Sequence, residues 1–135
     1  MTSSRARADG SRLARPLALL LAALLGAVLC VSGLVVHRHV TGPVPWGIVL
    51  ALGTLLVTLR AAALVGGTAA AVVLAVSYGA VLLLTMWSRP EGDYLVAADA
   101  LGYAFLLGSL VVLGAGVVLA ARGAGTLANN DAAED

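Results

Sequence analysis

One stretch constrains this chain more than any other: from residue 44 to residue 87 it is apolar, and its only charge is Arg60. As one straight helix the stretch would be about 65 Å long at 1.5 Å per residue. The hydrocarbon of a bilayer is only about 30 Å thick, which roughly 20 apolar residues cross. The stretch must therefore be divided, and Gly66 with Gly67 is where it divides most cheaply. Paired glycines are poor helix formers and reach backbone conformations that a tight reversal needs. Two spans follow, 44–65 and 68–87.

Two further segments have the same character. Residues 16–36 carry no charge, with Pro16 suited to a first helical turn, where its missing N–H is no loss. Residues 98–121 lie between an acidic segment and Arg122. With 61% hydrophobic and 11% charged residues and a mean hydropathy of +1.02, the chain is far more apolar than a soluble domain of 135 residues. The fold class expected is an all-α membrane protein: four transmembrane helices packed as a small bundle, both termini cytoplasmic. Residues 1–15, rich in Arg, Ser and Ala, and 122–135, ending in NNDAAED, are expected to be disordered tails.

Residues 16–36 do not fit an export signal, because the apolar core is long and no small-x-small cleavage site with a polar start follows it. Leu29 occupies the position before Cys30 where a lipoprotein cleavage box wants a small residue. Cys30 is the one cysteine and falls in an apolar run, where a thiol behaves as a small hydrophobe.

Arginine asymmetry sets the expected orientation. Arg5, Arg7, Arg12, Arg15, Arg60 and Arg122 fall on the side of the termini, and only Arg38 and Arg89 on the other. Trp46, Trp87, Tyr94 and Tyr103 gather at or near that second, outer rim, where an aromatic ring keeps a polar edge wet. All basic residues are Arg and none is Lys, with one Ile in the chain, a skew that points to a high-GC bacterium. The expected location is the bacterial cytoplasmic membrane, crossed several times. A net charge of +1 with scattered arginines gives no footprint for nucleic acid.

Candidate sites are few. On the outer side, HRHVTGPVPW at 37–46 brings His37 and His39, and the segment 88–99 brings Glu91, Asp93 and Asp99. Imidazole and carboxylate together permit a divalent metal. The plain alternative is a pair of solvated loops, since no closed zinc-ligand spacing is present. Arg60 is the one charge within a span. Counting helical rise from Trp46 puts it about 21 Å along, too far from Asp99 for pairing and near the inner face. Its stem can snorkel along the helix to lipid phosphate or the last carbonyls, so Arg60, like Trp46 and Trp87, reads as a topology anchor. Ser77 and Tyr78, mid-span, are expected to bond between helices or to backbone. Gly26, Gly33, Gly47 with Ala51, Ala98 with Gly102, and Gly116 with Ala120 allow close backbone approach.

No catalytic constellation and no cofactor motif is present, so an enzyme is not expected. Size and span number are similar to those of small multidrug-resistance transporters, whose proton coupling implies a carboxylate in the first span; residues 16–36 have none. The Arg-rich start, GPVPWG before the second span, Arg60, and GDYLVAADALGYAFLLG entering the fourth resemble small uncharacterised four-span membrane proteins of actinobacteria. That resemblance implies no activity and no site residues. The function expected is a non-enzymatic accessory or scaffold subunit, and the alternative is a small transporter or channel subunit. Its partners are the lipid bilayer, with another membrane protein or a homo-oligomer, and not nucleic acid.

Overall fold

The computed structural model describes residues 3–40, 43–87 and 99–131, with side chains from 14 to 123 among them. Among the described residues the fold has three helices: α1 (Ser3–Val36), α2 (Trp46–Trp87) and α3 (Ala100–Asp131). The expectation of four is thereby corrected. The stretch expected to form two helices forms one element, α2, and among the described residues the candidate spans number three, Ala14–Val36, Trp46–Trp87 and Ala100–Gly123. One residue inside α2 leaves helical geometry, Gly67, at φ 73° and ψ −176°. That region of backbone space is essentially reserved for glycine. No loop intervenes: two helical limbs meet directly at Gly67 and together form the element α2.

The turn is a reversal, which the packing of α2 against α3 demonstrates. Leu52 packs on Gly108 and Leu59 on Gly116, so over residues 46–66 the two helices run in the same direction. Beyond Gly67 the pairing inverts: Thr68 Oγ1 donates to the Ala120 carbonyl at 3.2 Å, and Tyr78 meets Ser109. The second limb, residues 68–87, thus climbs back along α3, and Leu52 and Tyr78 come to the same level. A helix too long for a bilayer is shortened by folding on itself.

Both α1 and α3 pack on α2, which is the central element. The approaches are close enough to need glycine. At Gly26 a side chain would meet the Leu74 carbonyl oxygen, and at Gly47 the Val36 carbonyl oxygen. Between helices in lipid there is no hydrophobic driving force, so cohesion comes from van der Waals contact and interhelical hydrogen bonds, which small residues permit. Ser77 adds one such bond, donating to the Ala23 carbonyl at 2.6 Å. Thr58 and Thr85 donate to the carbonyls of Thr54 and Leu82 on their own helix, which satisfies their hydroxyls locally.

Two features of α1 differ from expectation. Helix begins at Ser3 and so includes residues assigned by composition to a tail, and Pro16 lies well inside it. Ala and Arg are good helix formers, which suits this extension. The core is one cluster centred on Cys30, Leu55, Leu59, Leu74, Tyr78 and Phe105, all buried. Large aliphatic side chains face outward along every helix, among them Val35, Val57, Leu64, Val65, Leu110 and Val111. Apolar surface on that scale is suited to lipid rather than water.

Candidate functional site

The two ends of the bundle are built differently. At the connection end, where α1 passes to α2 and α3 begins, polar groups are paired. His37 follows α1 directly, its N–H bonded to the Gly33 carbonyl at 2.9 Å. That extra turn carries its ring inward: it is 1% exposed, donates from Nδ1 to the Leu34 carbonyl at 2.8 Å, and stacks on Phe105 with centroids 4.8 Å apart. Phe105 in turn lies over Gly33, whose lack of a side chain leaves room for the ring. Tyr78 and Ser109, 2% and 0% exposed, share a hydrogen bond of 3.1 Å. Desolvated hydroxyls are costly alone, and this pairing removes the cost for both.

Asp99 closes the same end. Its Oδ1 accepts from the Gly102 N–H at 2.8 Å, as an N-cap does for the unpaired donors of a first helical turn. Its Oδ2 accepts from Arg38 Nη2 at 2.9 Å. One carboxylate therefore starts α3 and ties it to the end of α1.

At the bend end the surface opens. Arg60 is exposed on the first limb of α2, seven residues before Gly67. It lines a groove between α2 and α3 together with Leu64, Gly67, Thr68, Leu119 and Gly123. Arg60 has no hydrogen bond or ion pair among the described residues. Thr68 stands in the groove with its proton committed to Ala120, which leaves the oxygen's lone pairs to accept.

The residues singled out in the sequence are distributed as follows. His37 and His39 are not brought together as ligands: His37 is buried against Phe105, whereas His39 is exposed, its backbone accepting from the Gly47 N–H at 3.0 Å. Glu91 and Asp93 lie outside the described residues. Among the described residues no three metal-ligating side chains cluster. Trp46 and Trp87 are 54% and 89% exposed. Ser77 and Tyr78 make the interhelical bonds expected of them. The Arg38–Asp99 pair and the buried role of His37 were missed. An Asp directly before ALGYAFLL is an N-cap signal that could have marked Asp99, but no local signal links it to a residue 61 positions away.

Three helices long and apolar enough to cross a membrane, with large aliphatic side chains turned outward, are compatible with a multi-pass helical membrane protein. The chain belongs to the family of unknown function DUF6113, whose model matches residues 3–131. No curated protein and no solved structure matches it.

Proposed function

We propose that this protein is a non-enzymatic accessory or scaffold subunit of the bacterial cytoplasmic membrane, acting through helix contacts with another membrane component. One observation carries the reading. Gly26, Gly47, Gly108 and Gly116 are spent on contacts within the chain, whereas Gly53, like Gly79 and Gly114, is not: a side chain there would meet nothing within 4 Å. Gly53 lies in a concave outward strip on the first limb of α2, beside Val49, Val57 and Thr58. Such a small residue in a lipid-facing hollow is where a foreign helix can approach closely. In the same reading Arg60, Trp46 and Trp87 anchor the bundle at its two membrane faces.

The test is photocrosslinking in cells. A photoreactive residue at Val57 in the strip is compared with one at Val111, which is equally exposed at 68% but lies on α3. A discrete protein adduct from position 57 and none from 111 is the expected outcome. Equal adducts, or none at 57, would contradict the scaffold reading.

A further inference from the structure

We infer that the groove at the bend of α2 is a binding site for one anionic phospholipid with a hydroxyl-bearing headgroup, its phosphate held by Arg60. This rests on membrane embedding and not on the scaffold reading. Three observations converge. Arg60 is a permanent cation, exposed into the groove and with no ion pair among the described residues. The groove walls are aliphatic, from Leu64 on α2 and Leu119 on α3, 88% and 40% exposed. The groove also includes Gly67, where the absence of a side chain leaves open space, and Gly123.

Depth makes the groove matter. Arg60 lies about 10 Å of helical rise from Gly67, so with the bend at the membrane surface its backbone is within hydrocarbon. A charge there needs a partner or a route to water. A groove running from Arg60 toward the bend provides a route for a headgroup to meet the guanidinium, which can hold a phosphodiester with two parallel N–H donors. An acyl chain then lies along Leu64 and Leu119. Thr68 refines the choice of headgroup, because its oxygen can only accept and so selects a lipid that also donates, such as one with a glycerol hydroxyl. Phosphatidylglycerol has both features. Phosphatidylcholine has a phosphate but no donor, and no net negative charge.

The test is native mass spectrometry of the full chain released from mild detergent containing phosphatidylglycerol or phosphatidylcholine at equal concentration. One phosphatidylglycerol is expected to be retained preferentially by the wild type, by about fivefold, the factor that one arginine near a membrane surface supplies. Arg60→Gln is expected to abolish the preference and Arg60→Lys to keep part of it. Ala63→Leu, which fills the groove without altering charge, is expected to lower retention of both lipids. Equal retention of the two lipids by the wild type, or an unchanged preference in Arg60→Gln that still elutes and melts as the wild type does, would overturn the site. So would phosphatidylglycerol retention by Ala63→Leu equal to that of the wild type.

Discussion

The connection end and the bend end are made from the same apolar alphabet and solve opposite problems. Toward the connection, Tyr78 is bonded to Ser109, His37 to Leu34, and Asp99 to both Gly102 and Arg38. Toward the bend, a charged side chain stands in an open groove and the backbone itself is the special feature, at Gly67. Polar groups that close on each other within the chain hold a bundle together in a solvent that offers no hydrogen bonds. A polar group left open at the lipid surface is available to something else. The difference separates residues that should govern stability from residues that should govern binding.

Substitutions can break that division. The largest loss is expected for Phe105→Ala, which removes the ring lying on both Gly33 and His37 and should destabilise the bundle by about 3–5 kcal/mol, measured as unfolding in mixed micelles. Gly47→Ala should follow closely, at about 3 kcal/mol, because the new methyl group meets the Val36 carbonyl oxygen and backbone must move. Gly67→Ala should cost about 1–3 kcal/mol through backbone conformation alone, since space around Gly67 is open. If Arg60→Gln proved as damaging, the division between the ends would fail.

Smaller effects sharpen the comparison. Asp99→Ala removes a helix cap and an ion pair and should cost about 1–2 kcal/mol, whereas Arg38→Ala removes only an exposed pair and should cost less than about 1. Equal losses would mean that the cap contributes nothing. Tyr78→Phe should cost about 0.6 kcal/mol, the usual worth of an interhelical hydrogen bond in a membrane protein.

What the sequence disclosed and what it hid differ in kind. The apolar segments and the turn at the glycine pair follow from local composition and the thickness of a bilayer, and the reversal occurs at Gly67. The expected count of four differs from the three elements observed because the two limbs of α2 meet at Gly67, at φ 73°, with no loop to separate them. By sequence alone His37 is a loop residue beside His39. Its burial depends on one more turn at the end of α1 and on Phe105 arriving from another helix, neither of which its neighbours in sequence encode. Arg60 was legible as an isolated charge near one face. The groove around it was not, since its walls come from positions on two helices.

The reversal of α2 underlies both ends, and one distance tests it. Spin labels at Gly53 and Gly79, where added side chains meet nothing within 4 Å, can be placed in a Cys30→Ala chain and their separation measured by double electron–electron resonance in nanodiscs. With the limbs folded back the labels should lie within about 20 Å, two helix diameters. A separation near 39 Å, the helical rise over the intervening residues, would mean that α2 runs straight through Gly67 and that its limbs do not share α3.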